Sequence, residues 1–146
     1  MRLHQRQNGS AMEFSFPIRV YYEDTDVAGV VYYANYLKFM ERGRTEWLRH
    51  WGLDQSVLID QDIAFAVRRA QVDYYRPARF NDALEVVSTI KEIRGVRVLF
   101  HQKIVSANDR ELVYAEGEIL VVCVTLSTMR PRPMPEELLE EMSRDA

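Results

Sequence analysis

The sequence has little that would suit it to an oxidising compartment, a membrane or nucleic acid. Its 146 residues include a single cysteine, Cys123, so no internal disulfide can form. No segment approaches the roughly 18 consecutive apolar residues that a membrane-spanning helix needs. The 19 basic and 22 acidic side chains nearly cancel, which argues against a nucleic-acid partner. We therefore expect a cytoplasmic protein without a membrane span.

Histidine is scarce too, with three residues in the chain. His4 lies in the polar start, His50 follows a predicted helix, and His101 points away from the face that Val98 and Phe100 share in a predicted strand. None of them stands beside a serine or cysteine motif. Nucleophilic catalysis by a Ser/His or Cys/His pair is therefore not expected.

The length suits one domain, and the 47% share of apolar residues can supply its core. Residues 1–13 are mostly polar and lack the apolar centre of a secretory signal, so we predict a flexible leader. Residues 14–128 form the predicted domain. In 129–146 the prolines lack N–H donors, which predicts that the core ends near Ser127 and that an acidic, helical or frayed tail follows.

Hydrophobic periodicity predicts an α+β fold. Residues 16–22 alternate as a strand does. From residue 36, large apolar side chains recur at helical spacing, and the helix is expected to end at Gly52: Tyr36, Leu37, Met40, Trp47, Leu48 and Trp51. Gly43 lies in that stripe, where we expect another backbone to come close.

Four further strands are predicted after the helix, at 63–75, 84–93, 96–104 and 111–126. The last is too long to lie flat in so small a domain, so the sheet should curve, with Gly117 as a bulge or bend. A long central helix can bury its stripe only if a curved antiparallel sheet wraps around it.

Three carboxylates, Glu23, Asp24 and Asp26, stand shortly before this helix. One interpretation is a solvated acidic turn with Asn35 as the helix N-cap. Another is an acyl-transfer site, where a carboxylate is base or nucleophile and free N–H groups at the helix start hold an oxyanion. The run Asp24-Thr25-Asp26 could instead bind a divalent cation, although no third ligand is evident.

The run Tyr22-x-Asp24-Thr25-Asp26-x-x-Gly29-x-Val31-Tyr32-x-x-x-Tyr36 resembles the signature of the 4-hydroxybenzoyl-CoA thioesterase family, a branch of the hotdog-fold superfamily. It is most similar to the acyl-CoA thioesterases associated with the bacterial Tol-Pal system. The resemblance spans residues 16–126 and continues through further segments: 41–46, 66–69, 73–78 and 116–124.

The resemblance implies a hotdog fold, in which a five-stranded antiparallel sheet wraps a long central helix, with active sites formed between two subunits. Asp26 matches the family's catalytic aspartate. The backbone N–H of Tyr33 matches the donor that polarises the thioester carbonyl, although many relatives have histidine there. Asp26 would activate water or attack directly, and neither a cofactor nor a metal is implied.

We thus expect hydrolysis of acyl-CoA thioesters with short to medium acyl or small aryl groups. The alternative is a non-catalytic acyl-binding or partner-docking hotdog module linked to envelope or phospholipid machinery. An acyl carrier protein or an envelope-associated protein is the candidate partner. A hotdog dehydratase would require a histidine in the site. At least a homodimer, and more specifically a homotetramer, is expected, because an exposed edge strand can pair with a second copy.

Arginines and paired tyrosines are further candidates for binding roles. Six arginines have the guanidinium geometry that suits CoA phosphates, and at most two of them are expected to act: Arg68, Arg69, Arg76, Arg79, Arg94 and Arg97. The pairs Tyr32-Tyr33 and Tyr74-Tyr75 are interpreted as packing residues rather than ligand contacts.

Overall fold

Seven strands in one antiparallel sheet, three α-helices and a short 3-10 helix at Tyr22–Asp24 make up the computed structural model, which describes residues 2–5 and 12–146. The sheet order is β1-β2-β4-β5-β6-β3, and β7 pairs with the end of β6. In chain order the elements are β1 (Arg2–Gln5), β2 (Met12–Arg19), α1 (Asn35–His50), α2 (Gln55–Asp60), β3 (Ile63–Tyr74), β4 (Ala83–Arg94), β5 (Arg97–Ser106), β6 (Val113–Thr125), β7 (Arg130–Pro131) and α3 (Glu136–Asp145).

Helix α1 is the predicted central helix. Its stripe is buried on β2, β4 and β5, and Gly52 follows it with φ +84°, as expected for a C′ glycine. The buried face differs from the expectation in two residues. Phe39 belongs to it, and Leu37 does not. The buried residues are Tyr36, Phe39, Met40, Gly43, Trp47 and Leu48.

Gly43 makes room for side chains rather than for a second backbone, so that part of the prediction is wrong. A Cβ there would lie 2.8 Å from Val86 Cγ1 and 3.3 Å from Gln102 Nε2. The Gln102 amide is fully buried and donates to the Met40 carbonyl at 2.9 Å and to Ser88 Oγ at 2.9 Å. The glycine lets α1 sit close to β4 and β5, with one satisfied amide between them.

Glycine is required at position 117 because the backbone of β3 approaches closely, and not because the strand has a bulge there. Gly117 pairs in register with Val72 of β3 and Gln102 of β5, while the register shifts fall elsewhere in the sheet. A Cβ at this position would lie 2.3 Å from the Gln71 carbonyl oxygen. The predicted bulge at Gly117 is therefore wrong, but the need for a residue without a side chain is real.

Both ends of the chain take part in the fold more than the sequence suggested. Within the predicted flexible leader, β1 pairs with β2, and β2 begins at Met12 rather than at residue 16. Residues 1 and 6–11 of that leader lie outside the described residues. Together with β7, these pairings raise the strand count from the predicted five to seven.

The core continues beyond Ser127, contrary to the prediction. Met134, Leu138 and Met142 are buried in the same cluster as α1. Proline does not prevent pairing here, because the Met129 and Arg132 N–H groups supply hydrogen bonds to β6. Helix α3 is thus a packed element and not a frayed tail.

The predicted α+β class is confirmed, with a curved antiparallel sheet against a central helix. No helix in the described part of the chain is long and apolar enough to cross a membrane.

Candidate active site

The acidic segment folds back on itself just before α1. Thr25 and Val31 form an isolated antiparallel bridge, and the Asp26 N–H donates to the Val30 carbonyl at 2.9 Å. Gly29 has φ +79°, a conformation that side chains disfavour, and this allows the tight reversal. The acids and the helix start therefore belong to one short loop.

Asp24 secures this loop. Its carboxylate is buried and accepts from the Tyr21 N–H at 2.8 Å. Its backbone carbonyl accepts from the Tyr32 N–H at 3.0 Å and from Asn35 Nδ2 at 2.8 Å. The predicted N-cap role of Asn35 is wrong, because Asn35 is the first residue of α1 and its side chain donates to the loop.

Asp26, two residues further on, is exposed. Its Oδ1 accepts from the Ala28 N–H at 2.8 Å, which orients the carboxylate. No other hydrogen bond or ion pair engages this side chain among the residues that the structure describes. One carboxylate oxygen is therefore free to act on a water molecule or a bound group.

Helical hydrogen bonding begins slightly before α1. The Asn35 N–H donates to Tyr32 O at 2.8 Å, and the Tyr36 N–H donates to Tyr33 O at 3.2 Å. Ala34 already has helical angles, φ −64° and ψ −22°. Within 12–146, no acceptor is bonded to the N–H of Tyr33 or of Ala34, so these are the first free donors at the positive end of the helix dipole.

An aromatic surface, made of Tyr32, Tyr33 and Tyr74, adjoins these donors. The centroid of the Tyr33 ring lies 5.0 Å from that of Tyr32 and 5.7 Å from that of Tyr74, which it meets edge-on. All three side chains are exposed by 42% or more. Their rings pack on one another, in accordance with the predicted packing role, and Tyr74 also contacts the buried Tyr36 with ring centroids 5.7 Å apart. Partial burial raises the pKa of the Tyr74 hydroxyl.

Tyr36 anchors the wall of this surface from inside the core. Its hydroxyl accepts from the Ala78 N–H at 2.9 Å and donates to the Arg76 carbonyl at 3.3 Å. Burial raises the pKa of this phenol. The sequence placed Tyr36 in the apolar stripe and at the end of the family signature, but its hydrogen bonds could not be inferred from helical spacing.

Two of the candidate arginines adjoin the Asp26 loop: Arg79 forms an isolated bridge with Val30, and the Arg76 carbonyl accepts from the Tyr36 hydroxyl. Other candidates lie on a different face of the sheet. Arg69, Arg94 and Arg97 line a recess of about 180 Å³ on the sheet face turned away from α1, together with Glu92. His101 Nε2 lies 2.6 Å from Glu116 Oε2 on that same face. In the described part of the chain, no three His, Cys, Asp or Glu side chains are grouped as metal ligands.

A partly open cavity of about 200 Å³ lies along the carboxyl-terminal half of α1, bordered by α2, α3 and the sheet. Neither Asp26 nor Tyr33 lines this cavity. Its wall includes Arg44, a residue for which the sequence predicted no role of its own.

The profile of the Thioesterase-like superfamily matches residues 20–142. The chain belongs to the thioesterase-like superfamily. An acyl-CoA thioester hydrolase, YbgC, of Escherichia coli O6:H1 is 47% identical over 131 residues, which are 90% of this chain and 96% of the relative. The acyl-CoA thioesterase YbgC of Haemophilus influenzae is 42% identical over 126 residues, 86% of this chain and 90% of the relative.

Solved thioesterase structures share the fold of this superfamily member. The crystal structure of Slr0204, a 1,4-dihydroxy-2-naphthoyl-CoA thioesterase from Synechocystis, superposes with a TM-score of 0.83 at 27% identity. The match covers 90% of this chain and 96% of that chain. The resemblance found in the sequence, the hotdog fold and the classification as a thioesterase are therefore confirmed.

Proposed function

We propose that this protein hydrolyses acyl-CoA thioesters with short to medium acyl or small aryl groups, giving the free acid and CoA. Asp26 is the base or nucleophile, and the Tyr33 N–H is the oxyanion donor. The observation that carries this proposal is the loop that joins an exposed, oriented carboxylate to the free N–H groups at the start of α1.

The chemistry follows from where charge develops. As a nucleophile attacks the thioester, the carbonyl oxygen becomes an oxyanion, and a fixed N–H donor at a helix start stabilises it without reorganisation. Asp26 either takes a proton from water or bonds to the acyl carbon as an anhydride that water then cleaves. In both cases one water adds to the acyl group and the thiolate departs.

No histidine or metal is needed for the departure of the leaving group. A thiol has a pKa near 8.5, so its thiolate leaves with little help from a general acid. The residues of the loop therefore suffice for the reaction, and no cofactor is proposed.

The aromatic surface supports the proposed range of substrates, which have short to medium acyl or small aryl groups. Tyr33 and Tyr74 present ring edges and faces to solvent beside the donors, which suits a small aryl group as well as a short chain. The Synechocystis thioesterase, whose name specifies an aryl-CoA substrate, is consistent with an aryl group in this superfamily.

A second copy of the chain would complete the site. Asp26 and the aromatic surface are open to solvent in one copy, whereas acyl transfer benefits from the exclusion of water. Pairing through β3 supplies such a cover, and a homotetramer is the assembly that we propose.

The buried Cys123 thiol, which forms no disulfide, fits a reducing cytoplasmic location. An acyl carrier protein or an envelope-associated protein is the proposed partner class.

A panel of acyl-CoA substrates tests the function. We expect the purified protein to release CoA from acetyl-, hexanoyl- and benzoyl-CoA, and the Asp26→Asn variant to lose that activity. Hydrolysis of the same acyl groups on a small carrier-less thiol should be weaker. If acyl-CoA binds without turnover in the unmodified protein, the non-catalytic acyl-binding alternative replaces this proposal.

A further inference from the structure

Arg44 is a guanidinium held in place by a buried amide. Its Nη1 donates to Gln102 Oε1 at 2.9 Å. Gln102 is fully buried and uses its Nε2 for two hydrogen bonds, to Met40 O and to Ser88 Oγ. The amide cannot turn without losing these bonds, so the guanidinium has a fixed position at the cavity wall.

The charge of Arg44 is not neutralised by an ion pair. Within the described residues no carboxylate forms a salt bridge with it. Burial lowers the pKa of Arg44 to about 10, and the charge of Glu41 acts in the opposite direction. A guanidinium carries five N–H donors, and one of them is engaged here.

The cavity beside this cation is mainly apolar. Its volume of about 200 Å³ exceeds the roughly 150 Å³ of an apolar protein cavity that admits benzene. Apolar side chains of α1, the sheet and α3 line it, among them Leu48, Trp51, Phe100, Val121, Leu138 and Met142. A partly desolvated cation in such surroundings gains from an anion that brings its own apolar body.

We propose that this cavity binds a monocarboxylic acid with a short aliphatic or small aryl body, with its carboxylate on Arg44. The site is separate from Asp26, because Arg44 is nine residues beyond the first residue of α1, about 14 Å along the helix axis. The proposed ligand has the chemistry of the free acid that thioester hydrolysis releases. Binding nevertheless requires none of the proposed catalytic residues.

The charge count favours a single carboxylate over other ligands. A phosphate dianion would bring more charge than one guanidinium balances, and Glu41 on the same wall would repel a dianion more strongly than a single carboxylate. A neutral lipid would fill the apolar part but leave the remaining Arg44 donors without an acceptor. A carboxylate can accept two parallel N–H bonds from one guanidinium.

Hexanoate and 1-hexanol are matched probes for this site, because they share the apolar chain and differ in charge. The two tryptophans of the chain report binding, since Trp51 lines the cavity and Trp47 stacks on Trp51 with ring centroids 4.8 Å apart. In fluorescence and calorimetric titrations of the full chain, we expect hexanoate to bind at least tenfold more tightly than hexanol.

Variants separate the cation from the apolar wall. Arg44→Gln should weaken hexanoate about 10- to 100-fold and leave hexanol within threefold, and Arg44→Lys should restore part of the loss. Arg49→Gln, which removes an exposed arginine from the same helix, is the matched control and should bind both probes as the unmodified protein does.

Several outcomes would overturn the proposal. Equal affinity of the unmodified protein for both probes would make the cavity merely apolar, and this comparison needs no variant to fold. Absence of binding would mean that the cavity is closed. Loss of hexanoate binding in Asp26→Asn but not in Arg44→Gln would move the acid to the catalytic loop. The binding titrations involve no thioester hydrolysis, so they do not depend on enzymatic activity. A protein that lacks thioesterase activity but still binds hexanoate through Arg44 would refute only the proposed function.

Discussion

The two aspartates of the loop differ in what surrounds their carboxylates. Asp24 is buried and accepts from the Tyr21 N–H, whereas Asp26 is exposed and keeps one oxygen free. We expect Asp26→Asn to lower kcat for acyl-CoA by about 10²- to 10⁴-fold, because the amide keeps the shape but loses the charge that a base or nucleophile needs. Steady-state release of CoA measures this.

Asp24→Asn is the matched control, because it removes the same charge two residues earlier. We expect a smaller loss of activity together with a fall of about 1 kcal/mol in the free energy of unfolding, since Asp24 stabilises the loop. The reverse order of activity losses would show that the catalytic carboxylate has been assigned to the wrong aspartate.

Tyr33 tests whether a backbone group or a phenol acts on the oxyanion. Tyr33→Ala and Tyr33→His should stay within about tenfold of the unmodified kcat, because both keep the N–H. Tyr33→Pro deletes it and should lower kcat about 10²- to 10³-fold. Tyr33 is the second residue of the turn closed by the Asn35 N–H and Tyr32 O, a position where proline is favoured.

Circular dichroism and light scattering on the Tyr33 variants show whether the fold and assembly are retained. Should alanine and proline reduce kcat equally, the phenol would be the active group and the backbone assignment would be withdrawn.

At the level of elements, the contact of α1 with β4 depends on Gly43. Gly43→Ala adds a methyl group 2.8 Å from Val86 Cγ1 and should lower the free energy of unfolding by about 1–3 kcal/mol, even though alanine favours the helix. Urea denaturation measures this change. Combining it with Val86→Ala, which frees the space, should recover part of the loss from the glycine change. Additive losses would mean that Val86 is not the obstacle.

For the whole molecule, strand β3 is the expected pairing edge. It has 12 residues, pairs only with β6 in the described sheet, and exposes residues 67–71. Such an edge pairs readily with another chain. Light scattering at micromolar concentration should therefore give at least twice the 17.2 kDa chain mass, and a 17.2 kDa particle would contradict the shared site.

A charge on the edge tests where the copies meet. Ala70→Lys should weaken the assembly and lower kcat with it, because lysine on an edge strand opposes pairing. Val57→Lys, an exposed apolar position on α2, is the control and should leave the mass unchanged. A mass unchanged by Ala70→Lys would place the interface elsewhere.

Sequence patterns predicted the elements whose cause is local. The apolar spacing of α1, the Gly52 end and the strands from β3 to β6 depend on periodicity and on residues with special backbone freedom, which the chain displays directly. The loop motif likewise indicated the thioesterase family, because a run of specific residues at fixed spacing is itself the signal.

Tertiary contacts decided what periodicity cannot encode. Whether Asp24 or Asp26 is free depends on which backbone donors the folded loop brings to each carboxylate. Burial of α3 and the enclosure of Arg44 depend on segments about 90 residues apart, as the 2.8 Å hydrogen bond from Trp51 Nε1 to Asp145 illustrates. A local pattern reports the period of a segment and its propensities, but not the partner that covers its apolar face or pairs with its charge.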